Sequence, residues 1–247
     1  MARAAPWVVV ALDGVLVPHQ HGHREVRTGA VAAAQPQDLA AAWPPLPWRD
    51  VVHPGDVATF GQLLWLEAHR QGVGPAERVI VLGDGAHWIG NLAAEHFPDA
   101  VHIVDCWHAV EHLWAAGRAL YGEGDARVAP WVADASERLR GGAVQDLLAE
   151  WAAAAPQQAE AFAEEVTFFR NQAGRLAYAH DEAQGYPIGS GAVESANRQV
   201  VGVRGKQAGM RWAAEGVAGV LALRALLRSQ RWEQWWEDQA LPVPLAA

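Results

Sequence analysis

The sequence predicts an α/β protein with a mixed sheet, and three observations predict it. Two apolar runs, Trp7 to Leu12 and Val79 to Leu82, read as buried strands, and each leads into an Asp-Gly pair, Asp13-Gly14 and Asp84-Gly85. Strand, acid and helix then alternate up to about residue 120, the pattern of parallel strands joined by helical crossovers. From about Tyr121 to Ala179 helical spacing takes over with no strand signal. A helical insertion is therefore expected before the chain returns to its core.

The elements follow in order. A hairpin is expected over residues 7 to 35, with one strand to Leu12, a polar turn from Pro18 to Gly22 and a return strand from about Arg24 to Ala33. Residues 36 to 58, rich in Pro and Trp, read as a loop with a short strand at Asp50-Val51-Val52. Phe60 to Gln71 reads as a helix. Val79 to Leu82 leads to Asp84 and a helix from Trp88 to Glu95, and Ala100 to Val104 leads to Asp105 and a helix to about Leu120. Val144, Leu147, Leu148 and Trp151 recur at helical spacing, as do Phe162, Val166 and Phe169. Gly189-Ser190-Gly191 breaks the chain, and a helix then begins with Gly191 as its cap and Glu194 in its opening turn. Met210 to Gln239 reads as one final helix.

Composition narrows the function classes. At 247 residues the chain can bury a full core, and 51% hydrophobic content is that of a globular protein. With 19 basic against 28 acidic residues and a net charge of −9, no basic surface covers the whole chain, so any nucleic acid must be held by a local patch. Cys106 is the single cysteine, which excludes an internal disulfide and a cysteine-rich zinc module and fits a cytoplasmic protein. The apolar runs fall far short of the ~20 residues of a membrane span. Met1 to Pro6 is too short and too weakly apolar for a signal peptide.

Three acids stand out. An acid at the carboxyl end of a strand is where open α/β sheets place their chemistry, which singles out Asp13 and Asp84. Taken singly, each is also a common turn device, and Glu194 is also a helix-capping acid. Together, two strand-borne aspartates and one helical glutamate supply the hard oxygen ligands that two divalent metals about 4 Å apart require for phosphoryl transfer. Arg198, Arg204, Lys206 and Arg211 follow Glu194 closely and read either as a solvated helical face or, if the substrate is DNA, as contacts to its phosphates beside the active site.

The run Leu82 to Ile89 resembles a signature of bacterial insertion-sequence transposases of the Kra type, relatives of the Mutator-like group. So do His102 to Leu113, Pro187 to Ala196, Arg204 to Trp212 and Leu221-Ala222-Leu223-Arg224. The resemblance covers nearly the whole chain. It implies a ribonuclease-H-like core in two parts, 1–114 and 181–247, with an all-helical insertion at 115–180. It implies Asp13, Asp84 and Glu194 as a DDE triad holding two Mg²⁺, for which Mn²⁺ can substitute. It also implies DNA as substrate, a homo-oligomer assembled on DNA, and a bacterial protein that joins the nucleoid when bound. That family carries an acid-or-cysteine, two residues, then His motif, matched by Asp105 and His108, with a role in shaping the active site or in handling DNA near the cleavage point; the residues alone equally suit a helix cap at Asp105 and a core hydrogen bond at His108. Family members normally carry an amino-terminal region that recognises the element's ends, and this sequence starts at the first catalytic strand. The expectation is a catalytic core alone, and the alternative is a non-transposing remnant that binds DNA or protein.

Competing motifs are weaker. His108-Ala109-Val110-Glu111-His112 fits inverted zinc peptidases, but no downstream zinc carboxylate stands out. Leu12-Asp13-Gly14-Val15-Leu16 resembles haloacid-dehalogenase-type phosphatases, but their nucleophile would fall at Ala11, which removes the covalent chemistry. His19, His21 and His23 read as a solvated hairpin turn. Trp232, Trp235 and Trp236 read as core or subunit interface rather than a base-stacking platform.

Overall fold

The computed structural model describes residues 6–35, 39, 46–154 and 160–239. In chain order the first elements are β1 (Trp7–His19), β2 (Gly22–Ala34), β3 (Arg49–His53), α1 (Val57–Arg70), β4 (Arg78–Gly83), α2 (His87–His96) and β5 (Val101–Val104). Helices follow: α3 (Cys106–Tyr121), α4 (Val128–Arg140), α5 (Val144–Ala154), α6 (Glu160–Gln172), α7 (Tyr178–Ala183), α8 (Gly191–Ala196), α9 (Val203–Gly205), α10 (Ala214–Arg228) and α11 (Trp232–Gln239). A π-helical turn, Asn197–Gly202, separates α8 from α9. The chain is α/β, with antiparallel pairing in one compact unit and parallel pairing in another. The first unit gathers the described residues of 1–34, 43–77 and 191–247; the second holds those of 35–42 and 78–190. Pro44 and Pro45 of the Pro- and Trp-rich stretch lie outside the described residues.

In the first unit β1 and β2 pair antiparallel along their full length, from Trp7 opposite Ala34 to His19 opposite Gly22, and β3 pairs with β2. The first strand therefore runs seven residues beyond Leu12, straight through Asp13-Gly14. Val17 and Val26 explain why: they bury against Val200, Val201, Val217 and Leu221, so the outer half of the hairpin has an apolar face to cover. Only Gln20 and His21 are left for the turn, with Gly22 at φ +110°. Helix α1 is capped by Asp56, whose carboxylate accepts from Thr59 N at 2.8 Å. Gly29 lets this helix settle on the sheet, because a Cβ there would lie 2.6 Å from Leu64.

The expected single C-terminal helix is instead two, α10 and α11, and Met210 to Ala213 precede them outside any helix. The chain breaks at Ser229-Gln230-Arg231, where Gln230 takes φ +55°. Side chains at the break are committed elsewhere in the unit. Ser229 Oγ accepts from Asp50 N at 2.8 Å, Arg228 Nε meets Asp50 Oδ2 at 2.5 Å, and Arg231 grips Glu67 through both guanidinium nitrogens, one at 2.8 Å. The glutamate helix likewise starts at Gly191 rather than after it.

In the second unit β4 and β5 run parallel, Ile80 opposite Val101 to Gly83 opposite Val104, with α2 as the crossover. From Cys106 to Ala183 no strand interrupts the helices among the described residues. Gly117 allows α3 and α4 to approach, since a Cβ would sit 3.1 Å from Val128. Trp151, Phe162, Val166 and Phe169 are buried, as are Leu113 and Val132 of these helices. Tyr178, wholly buried, donates to Val104 O at 2.9 Å and so ties α7 to β5. The helices of 115–180 thus share a unit with β4 and β5. Among the described residues no helix is long and apolar enough to cross a membrane.

Candidate functional site

Asp13 lies in the middle of β1 opposite Thr28, not at a strand's carboxyl end. Its Oδ1 accepts from Gly14 N at 2.6 Å, and its Oδ2 accepts from the side-chain amide of Asn197. A Cβ at Gly14 would lie 2.2 Å from the tip of the flexible Glu25 side chain, which would have to swing aside. Asn197 comes three residues after Glu194, at the start of the π-helical turn. That turn is sustained by Arg224, whose guanidinium donates to the carbonyls of Val200, at 2.8 Å, and Gln199. Helix α8 packs on β1 and β2 and carries Glu194 exposed in its first turn. Two of the three acids therefore belong to one unit, and Asn197 fastens the strand of one to the helix of the other. Asn197 Oδ1 and Thr28 Oγ1 are buried without a hydrogen-bond partner. Unpaired buried acceptors beside a carboxylate suit a bound cation or its water.

The four basic residues Arg198, Arg204, Lys206 and Arg211 are all exposed in this unit. The tip of the hairpin holds their segment in place. Trp212 N donates to Pro18 O at 3.3 Å, Gln20 N donates to Trp212 O at 3.1 Å, and the indole of Trp212 donates to Gly205 O at 3.1 Å. His21 and His23 are exposed at that tip, but His19 is buried, covered by its bridge to Trp212. The turn is not a solvated triplet of imidazoles. Trp236 is half exposed and stacks edge-on with Trp232 and Trp235.

Asp84 belongs to the second unit and directly follows β4. Its Oδ1 accepts from Ala86 N at 2.8 Å, closing a tight turn in which Gly85 takes φ +89°. A Cβ at Gly85 would also press on Phe168 at 3.1 Å and Gln172 at 3.3 Å. Gln172, nearly buried, donates to Gly85 O at 2.8 Å and holds the turn against α6. The turn forms one wall of a cavity of about 400 Å³, lined among others by Asp84, His87, His108, His112, Phe168 and Asn171.

Asp105 is wholly buried and caps α3, accepting from Trp107 N at 2.7 Å and His108 N at 3.0 Å through Oδ1. Its Oδ2 accepts from Ser190 N, and Cys106 N donates to Ile188 O at 2.9 Å, so the segment before α8 is pinned to the head of α3. His108 is half-buried in the cavity wall with Nδ1 3.0 Å from Glu111. His112, one turn on, is 2.6 Å from Glu165 and stacks on Phe168 at 3.6 Å between ring centres. Asn197, Thr28, Glu25, Glu165 and Phe168 were not singled out by sequence; their partners lie far along the chain, beyond the reach of local spacing.

Neither unit contains all three acids, and among the described residues no group of three or more His, Cys, Asp or Glu is arranged to hold a metal ion. Asp13 and Glu194 of the first unit, with a buried amide oxygen beside Asp13, and Asp84 of the second are hard oxygen donors. Compared with known proteins, the chain matches no family model and no curated protein.

Proposed function

We propose that the chain is the catalytic core of a DDE transposase on a ribonuclease-H-like sheet, carrying out metal-dependent phosphodiester hydrolysis and DNA strand transfer. The observation that carries this reading is the fastening of Asp13 to the glutamate helix by Asn197, with buried acceptors left unpaired beside the carboxylate. Asp84, turned into a cavity from the end of β4, supports it. Asp13, Asp84 and Glu194 would hold two Mg²⁺, with Mn²⁺ as a substitute. Bound there, the metals activate an attacking oxygen and stabilise a leaving one.

The protein's own groups prepare that chemistry. Asn197 and Gly14 N fix the Asp13 carboxylate in one orientation, so no side-chain freedom is lost when it takes a ligand. The Gly85 turn does the same for Asp84. Arg198, Arg204, Lys206 and Arg211 bind phosphates of the DNA backbone and set its register. Water, or later a DNA 3′-hydroxyl, is the nucleophile, and no covalent protein–DNA intermediate is needed. Joining two element ends calls for a homo-oligomer on DNA, in the bacterial cytoplasm at the nucleoid. The test is nicking of supercoiled DNA by the purified chain with Mg²⁺ or Mn²⁺: activity abolished by Asp84→Ala and by Glu194→Ala is expected. A folded wild type that never nicks would leave a DNA- or protein-binding remnant instead.

A further inference from the structure

We propose that the cavity beside Asp84 is a binding subsite for a phosphodiester group of the DNA strand, with His112 as the residue that grips a non-bridging oxygen. The inference rests on the transposase reading for its substrate, but its geometry lies within the second unit alone. His112 is held from two sides. Its Nδ1 is 2.6 Å from Glu165 Oε2, and its ring lies on Phe168 at 3.6 Å with 17° between the planes. Phe168 is itself braced edge-on by Phe169, 5.3 Å away, and Phe169 is fully buried. A ring so clamped has one orientation.

With Nδ1 turned to a carboxylate, Nε2 is the ring nitrogen left for a ligand. A carboxylate at Nδ1 accepts N–H from the neutral and the charged ring alike; the charged ring adds an Nε2–H donor, which an anionic oxygen needs. The surroundings fit that ligand. Three imidazoles, of His87, His108 and His112, and the Asn171 amide line the cavity, and among the described residues Asp84 is its only carboxylate. The other two acids are paired to imidazoles, Glu111 to His108 and Glu165 to His112. Such a lining offers donors to an anion and aromatic edges to its sugar and base. With no metal on it, the Asp84 carboxylate opposes the anion, and the imidazoles must outweigh it.

The test uses the full chain in metal-free buffer with ¹³C-labelled histidine and two probes: the dinucleotide TpT and its uncharged methylphosphonate analogue. TpT should shift the His112 ring signal in a saturable way, and the analogue should not. His112→Asn keeps an amide near the Nδ1 position but loses the Nε2 donor, and should bind TpT about tenfold more weakly. His112→Gln, which returns an N–H near the Nε2 position, should recover most of that loss. An unmoved His112 signal, an equal shift from the uncharged analogue, or unweakened binding by folded His112→Asn would each overturn the inference. If the variants fail to fold, the two probes on the wild type still decide it. A chain that binds TpT at His112 yet never nicks DNA would keep this site and reject the transposase; metal-dependent nicking with His112 untouched by TpT would do the reverse.

Discussion

Asp105 accepts three backbone N–H groups with no solvent at hand, two from the first turn of α3 and one from Ser190. Removing the carboxylate orphans the buried Ser190 N–H and uncaps the two part-buried donors of the first turn. Asp105→Ala should therefore cost about 2–4 kcal/mol, a cap loss plus at least one unsatisfied buried N–H, read as a lowered denaturation midpoint. Asp105→Asn, which keeps an acceptor, should cost much less. His102 on β5 gives a pH-dependent counterpart. Burial, with Arg175 adding to it, lowers its pKa to about 4, and its Nε2 has no partner. The folded state thus resists a proton that the unfolded chain accepts near pH 6.5. Stability should fall as pH drops from about 6.5 to about 4, and thermal melts of His102→Gln should show a flatter dependence over that window. At this scale the sequence was informative about Asp84 and Asp105, whose roles follow from neighbours two or three residues away. It was uninformative about Asn197 and Glu165, because nothing local links residue 197 to residue 13 or residue 165 to residue 112.

The elements that departed from expectation did so for non-local reasons. An Asp-Gly pair signals a turn, yet β1 continues through Asp13 because Val200, Val201 and Val217 cover Val17 beyond it. Periodicity from Met210 to Gln239 suits a single helix, yet Ser229 and Arg231 stop it by bonding to β3 and α1. The hairpin, the crossover between β4 and β5, and the amphipathic helices of the second unit were legible because period and burial agree there. The break between α10 and α11 also carries a prediction. Glu67 is 3% exposed and its carboxylate is held by Arg231. Arg231→Met leaves that buried carboxylate with Gln71 at 2.9 Å and Arg70 at 3.8 Å alone and should cost about 2 kcal/mol in urea unfolding, while Glu67→Leu with Arg231→Met should recover most of it. Equal costs for the single and double variants would show that the pair is no more than a surface contact.

For the whole molecule, charge and chemistry have to be reconciled. A net charge of −9 repels DNA at long range, so under the proposed function binding would depend on the exposed arginines and lysine that follow Glu194. Replacing Arg204 and Lys206 together by Gln should make the plot of log affinity against log salt shallower by about 1.8, two phosphate contacts at about 0.9 each. An unchanged slope would mean that DNA lies elsewhere. The claim on which the account turns is that Asp13, Asp84 and Glu194 act as one site although they are far apart in sequence. Residues that act as a unit fail together rather than additively. The decisive measurement is the rate of metal-dependent nicking of supercoiled DNA by Asp13→Asn, Asp84→Asn, Glu194→Gln and all three combined. The account predicts that each single variant falls to the background of the triple. Single variants that each lose only part of the rate, with losses that multiply in the triple, would contradict it.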